Sequence, residues 1–360
     1  MIKKVVISFL LILAIVTIAQ NSHSLSTQQT LSQKDQKEII EKISALLKNY
    51  YIFPEKAKEM GFELLKRADD GNYQALSDKE SFAKQMTLDL QLFSHDKHLT
   101  VQYDPQRVKE LRRENSRPSG EEALAIRKRR YEEQRRNNFG FQKVENLKGN
   151  IGYLDLRIFR STDHAAPTAI GAMSFLSNSD AIIIDLRNNV GGDSSMYLLL
   201  ISYFFSSQIV HLSDLNNRLT NSTQQSWTLP FIPGQRLPDV DLYILTSRRT
   251  FSAAEAFAYD LQCLKRATII GQSTGGGAHM ATRMIVNDDF YMFMPFAGAI
   301  NPISKTNWEG VGVKPDVEVP EEKALDAAYV MALKNLEKKT TDQDWKNKLS
   351  SLRHKLEENK

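Results

Sequence analysis

Ala181-Ile-Ile-Ile-Asp-Leu-Arg-Asn-Asn-Val-Gly-Gly192 is the stretch that decides the fold. Four consecutive apolar residues running into Asp185-Leu186 read as a strand covered on both faces, the kind found in parallel sheets with helical crossovers. The Gly191-Gly192 pair marks a turn in which backbone N–H groups can point outward without side-chain obstruction. A helix is expected next, over 194–205. Working outward, Ile151-Gly-Tyr-Leu-Asp-Leu156 reads as a strand and 165–176 as a helix, while Leu242-Tyr-Ile-Leu-Thr246 reads as a strand and 253–264 as a helix. Further strands are expected at 267–270, 283–286 and 290–295. Alternating strands and helices over 139–320 predict an α/β domain.

Upstream, the period changes. Ile39, Ile40, Ile43, Leu46 and Leu47 fall three and four apart, the spacing of one helix face. A second helix is expected through Ala57, Met60, Leu64 and Leu65, and a third, capped by Ser77-Asp78, through Phe82, Met86, Leu88 and Leu92. Residues 30–105 are therefore read as a small helical N-terminal domain ending in the strand Leu99-Thr-Val-Gln-Tyr103. Residues 106–138 crowd charges of both signs with few large apolar side chains and read as a solvated helical or mobile excursion, a linker between domains. Two charged amphipathic helices, about 322–336 and 342–357, make residues 321–360 a C-terminal helical tail.

Composition narrows the function classes. The 360 residues are 41% hydrophobic and 25% charged, enough apolar side chain for a real core and too much for a disordered chain. The net charge of +4 is spread out, so no nucleic-acid partner is expected. The lone Cys263 cannot form an internal disulfide. Residues 1–20 place Lys3 and Lys4 before an uncharged run from Val5 to Ala19, the layout of a secretory signal peptide. No later segment is long and apolar enough to span a bilayer, so an exported protein, periplasmic or extracellular, without stable membrane insertion is expected.

Three segments offer chemistry. Ser252, in Thr250-Phe-Ser-Ala-Ala-Glu255, stands where a strand hands over to a helix, with free amides and the helix dipole favouring negative charge beside it. Taken alone it is equally an ordinary N-cap serine. The Gly191-Gly192 turn offers oxyanion-hole amides or simply a tight turn. His95 and His98 lie where helix gives way to strand, and His279 follows Gly275-Gly-Gly-Ala278. There is no HExxH and no Cys/His cluster, so the reading assigns no metal and no cofactor. A general base for Ser252 is the more economical use of a histidine, with His98 and His279 both available, and Glu309 is a plausible orienter of its ring.

In order along the chain, the Gly-Tyr-Leu strand, Asp185-Leu-Arg-Asn-x-x-Gly-Gly192, Ser252-Ala-x-Glu255 with Gly271-x-x-Thr-x-Gly276, and Glu309-x-x-Gly-Val-x-Pro-Asp316 resemble the tail-specific (C-terminal processing) serine peptidase family. The likeness covers about 139–320, and a looser match to the interphotoreceptor retinoid-binding-like branch extends it back to about residue 35. The resemblance implies a ClpP/crotonase-like superhelical catalytic domain, Ser252 as nucleophile, and an oxyanion hole from Ala253 and the Gly191-Gly192 turn. It leaves no obvious space for an inserted PDZ domain. Many members use a lysine 25 residues after the serine; here that position is Gly277, with no lysine within two residues, so a serine–lysine dyad is excluded. The branch is similar in part to the tricorn core protease, whose histidine and late glutamate match His98 and Glu309; Lys97 stands where that protease has a serine. His279 fits a branch pattern as a substrate-binding residue or alternative base. The resemblance thus implies a serine-type endopeptidase acting on peptides or proteins. The alternatives are a non-catalytic binder of apolar small molecules or protein partners on the same scaffold, and crotonase-like acyl-CoA chemistry.

Overall fold

The computed structural model describes residues 30–115 and 120–358; the leader read over 1–20 lies outside the described residues. Strand β4 (Ala181–Asp185) is buried at every position and runs parallel between β3 (Ile151–Leu156) and β7 (Asp241–Thr246), with Ile183 opposite Tyr153 on one side and Tyr243 on the other. The sheet continues in parallel to β8 (Thr268–Gly271) and β11 (Val317–Glu318), and is closed on the other edge by antiparallel β2 (Phe141–Leu147). Both faces are covered, which is why β4 carries no polar alternation. Helices α6 (Thr162–Leu176), α7 (Ser194–Ser202) and α8 (Ala253–Cys263) contribute to the core that includes Leu154, Ile184 and Ile244. On the opposite face, α9 (Ala324–Lys339) seats Ala324, Ala328 and Ala332 over Ile183 and Tyr243, and α10 (Gln343–Glu358) packs on α9. Small residues four apart let that helix lie close to the sheet.

A second, antiparallel sheet has the order β1 (Thr100–Tyr103), β10 (Phe290–Ile300), β5 (His211–Asn217), β6 (Ser222–Trp227), with β9 (His279–Ile285) on β10. Helices α1 (Gln33–Tyr50), α2 (Pro54–Asp69) and α3 (Lys79–Ser94) bury Ile40, Ile43, Met60, Phe82 and Met86 in one cluster with Phe290, Met292 and Met294. The N-terminal helices therefore share their core with a strand from near the end of the chain. Helix α4 (Pro105–Asn115) buries Val108 and Leu111 against Tyr291, whereas α5 (Gly120–Arg136) buries nothing.

Several boundaries differ from those the pattern predicts, each for a physical reason. The last strand was expected over 290–295; a register shift between Pro295 and Ala297 absorbs the proline, which cannot donate to a ladder, and β10 runs to Ile300. Helix α7 stops at Ser202 rather than 205: Arg236 and Leu229 bond to Ser202, and Tyr203 and Phe204 enter the core as a turn. The β5–β6 hairpin was not anticipated, since β6 is polar and mostly exposed. Residues 106–138 include two helices, α4 and α5.

Candidate active site

Ser252 sits at the β7–α8 junction, and its backbone separates it from an ordinary cap. Ser32, Asp78 and Asp193 cap their helices in the extended region, at φ −74°, −82° and −85°. Ser252 has φ 55° and ψ −123°, a region that side-chain-bearing residues occupy only when their surroundings force it. The forcing bonds are visible. Thr250 Oγ1 donates to the Leu186 carbonyl at 2.7 Å, the Phe251 N–H to the Asn189 carbonyl at 3.0 Å, and the Ser252 N–H to the Glu255 carboxylate at 2.7 Å. These bonds dock the serine turn on the loop that follows β4.

That loop brings the glycine pair alongside. A Cβ on Gly191 would meet the Phe251 carbonyl at 2.7 Å and the Ser252 Cβ at 2.8 Å, so only glycine permits the approach. The Gly191 N–H is already engaged, donating to Asn189 Oδ1 at 2.8 Å. This narrows the sequence expectation of an oxyanion site from either glycine: of the Gly191, Gly192 and Ala253 N–H groups, the last two have no protein acceptor among the described residues. Both residues and Ser252 line a cavity of about 610 Å³. Its wall is largely apolar, including Leu198, Leu215, Trp227, Leu229 and Trp308, and His279 also reaches it.

The histidines come together around a residue that sequence reasoning did not single out. Asp96, 1% exposed, lies between them: its Oδ2 is 2.6 Å from His279 Nδ1 and accepts from the Tyr51 hydroxyl at 3.2 Å, while its Oδ1 accepts the His98 N–H at 3.0 Å and lies 3.9 Å from His98 Nδ1. Glu309 Oε2 accepts from the Ala278 and His279 N–H groups at 2.6 and 3.2 Å and lies 3.5 Å from His279 Nδ1. Glu309 is thus hydrogen-bonded beside His279, not to His98. His95 is exposed; its left-handed backbone ends α3 and its ring takes no part in the cluster.

The His98 ring packs on Phe251, the residue before the serine, with centroids 4.7 Å apart. Gly277 is wedged against both rings, and the Trp308 indole N–H donates to its carbonyl at 3.0 Å. Among the described residues no hydrogen bond joins the Ser252 hydroxyl to either imidazole; contacts of this kind often tighten only in a substrate complex. Glu255, fully buried, ties the two halves: it accepts from the Ser252, Gly276 and Gly277 N–H groups and from the Thr274 hydroxyl. The pattern Ser-x-x-Glu contained this residue, but nothing local revealed that its carboxylate faces inward.

Electrostatics divide the two imidazoles. Burial drives His98 down to about 4, only partly opposed by Asp96, with the His279 charge acting in the same direction as burial. His279 goes the other way: against burial, the hydrogen bond and charge of Asp96 raise it. Asp96 is correspondingly held below its ordinary value, the His279 partnership outweighing burial. Burial and the nearby Asp96 charge push Glu309 up to about 7, against His279 and the two backbone N–H groups. The surroundings therefore favour the neutral form of His98 and the charged form of His279, whose Nδ1 is paired with Asp96.

Residues 150–319 match Peptidase family S41, and residues 27–138 match the family described as the N-terminal domain of Peptidase S41 in eukaryotic IRBP. The carboxyl-terminal-processing protease of Picosynechococcus sp. is 25% identical over 185 residues, 51% of this chain and 42% of that protein. The match thus spans less than half the length of that curated relative. Among solved structures, a putative peptidase from Parabacteroides merdae is similar with a TM-score of 0.58 at 16% identity, over 84% of this chain and 97% of that one. The photosystem II D1 C-terminal processing protease gives 0.50 at 15%, over 80% and 94%. At such identities these two likenesses concern the fold: mixed α/β with an N-terminal helical region. With both regions matched in chain order and the glycine turn and Ser252 inside the larger match, the chain carries a peptidase family S41 domain preceded by an S41 N-terminal domain.

Proposed function

We propose that this chain is a serine-type peptidase that cleaves peptide bonds in peptides or proteins, with Ser252 as nucleophile, His98 as general base, and the Gly192 and Ala253 N–H groups as the oxyanion hole. One observation carries the reading: Ser252 holds a left-handed backbone at a strand–helix junction beside two unengaged amides, on the wall of a large cavity. An ordinary cap needs no such strain.

The neutral His98 ring accepts the Ser252 proton as Oγ attacks the substrate carbonyl. The C=O electrons move onto oxygen, which the two amides and the α8 N-terminus stabilise. Collapse breaks the C–N bond, and His98 returns the proton to the leaving amine. Water then repeats the sequence on the acyl-enzyme, releasing the carboxylic acid and restoring Ser252. His279 is the alternative base: its Nδ1 is held by Asp96 as in a triad and its ring reaches the cavity, but the pairing raises its pKa and favours its charged form. Asp96 holds the His279 ring through Nδ1 and Glu309 binds the backbone beside it, so the orienting role that resemblance gave to Glu309 for His98 has no hydrogen bond behind it.

The parallel sheet with its helical crossovers is of the ClpP/crotonase type, with residues 139–320 as the peptidase unit, 30–105 as the helical domain and 321–360 as a C-terminal extension. The basic-then-apolar layout of residues 1–20 supports export to the periplasm or beyond. Fluorophosphonate labelling tests the core claim: the wild-type protein should be modified at Ser252 and Ser252→Ala should not. The same cavity, about 610 Å³ with an apolar wall, favours one other reading, a carrier of apolar small molecules. A carrier would bind such a ligand and leave Ser252 unlabelled.

A further inference from the structure

Two polar atoms near the centre of the site are sealed from solvent and have no hydrogen-bond partner among the described residues: His98 Nδ1 and Glu309 Oε1. Leaving such an atom unpaired costs about 1–3 kcal/mol, so two in one cluster ask for an explanation. They share a neighbour. One ligand atom from each of Asp96, His98 and Glu309 lies within 4.8 Å of the other two, with Asp96 Oδ1 3.9 Å from His98 Nδ1. An imidazole nitrogen with two carboxylate oxygens is a donor set suited to borderline divalent ions. Zinc bonds of about 2.0–2.2 Å require neighbouring ligand atoms roughly 3.4 Å apart, so closure needs side-chain shifts on the order of 1 Å. Asp96 is already fixed by Tyr51, His279 and the His98 N–H, which limits the ordering cost of the first ligand.

We propose that Asp96, His98 and Glu309 form an inhibitory site for a divalent transition-metal ion, Zn²⁺ above all. The inhibition rests on the reading of His98 as the base; the binding does not. A metal on Nδ1 occupies that lone pair and confines the ring proton to Nε2. The imidazole then has no lone pair left to take the Ser252 proton, so the nucleophile is silenced although Ser252 and the oxyanion amides are untouched.

The test uses the full chain carrying Ser252→Ala, so that binding is read without turnover. Equilibrium dialysis with Zn²⁺ should give one ion per chain, and Co²⁺ in its place should give visible absorption of low-symmetry, four- or five-coordinate character. Adding Glu309→Gln or His98→Gln should each weaken binding at least 10-fold; the comparison is made in whichever of the two keeps the parent far-UV circular dichroism and melting temperature. No stoichiometric binding at micromolar Zn²⁺, or affinity unchanged in the folded variants, overturns the site. In the wild-type chain, Zn²⁺ should abolish peptidase turnover and a chelator should restore it. Stoichiometric binding without any loss of turnover overturns the inhibition. A Ser252 that stays unlabelled by fluorophosphonate in the metal-free wild-type chain would instead sink the peptidase reading and leave the metal site standing.

Discussion

The two halves of the site are built from different materials. The nucleophile half, residues 186–192 and 247–255, is mostly backbone: a glycine turn, carbonyl acceptors, two free amides and a serine forced into a left-handed conformation. The imidazole half is buried titratable side chains: His98, His279, Asp96 and Glu309, from segments up to 213 positions apart in sequence, meeting in a largely buried cluster. Backbone machinery is rigid and local, and it is written as motifs. Buried charge is assembled at a distance, and its behaviour depends on which partner lies closest. In the proposed mechanism the first half would hold the oxyanion, and the second sets which ring is neutral.

The sharpest way to break this division is to remove the one side chain through which both halves act. Ser252→Ala should lower kcat/KM on denatured protein substrates by about 10⁴-fold or more while leaving the melting temperature nearly unchanged. Retained cleavage would dissolve the comparison. On the charged side, Asp96→Asn should destabilise the fold by about 3–5 kcal/mol in urea titration, because it strands a buried His279. Glu309→Gln should cost less, since its main bonds are to two backbone N–H groups that an amide oxygen can still accept. The reverse order would make Glu309 the principal partner.

On the backbone side, Gly191→Ala should cost about 1–3 kcal/mol, with its Cβ driven against the Phe251 carbonyl at a positive φ. Gly171→Ala, in an open position on helix α6, should instead stabilise by up to about 1 kcal/mol. Equal effects in thermal melts would deny that the glycine turn is a close-packed part of the site. A pH-dependent effect lies behind the cavity, where Asp260 is fully buried and accepts from Tyr197 and Asn301. Burial raises its pKa from 3.8 to about 7. The unfolded chain releases this proton first, so the contribution to stability is complete below 3.8 and is lost as pH rises through 7, by roughly 1.4 kcal/mol per pH unit at most. Asp260→Asn should flatten that slope in unfolding titrations across the window; an unchanged slope removes Asp260 as its source.

Much of the fold was readable because its strongest signals are local. Ala181–Asp185 declares a doubly covered strand, and the 39–47 spacing declares a one-faced helix. The hairpin β5–β6 was not readable, since an edge strand facing solvent has no apolar period to betray it. Ser252 and the Gly191-Gly192 turn stood out as motifs, and so did the absence of a lysine near Gly277. Asp96 did not stand out: a polar residue at the end of a helix carries no mark of being 1% exposed. Glu255 was visible only as part of a pattern.

The sequence by itself determined the doubly covered sheet, the strand–helix junction carrying the serine, and the residue types within reach of catalysis, because each depends on neighbours within a few positions. Only tertiary structure decided that Gly192 rather than Gly191 keeps a free amide, that Asp96 stands between the two histidines, and that His98 is the neutral ring. Those outcomes depend on desolvation and on distances of 3–4 Å between segments the chain brings together last, and neither quantity exists until the core has closed.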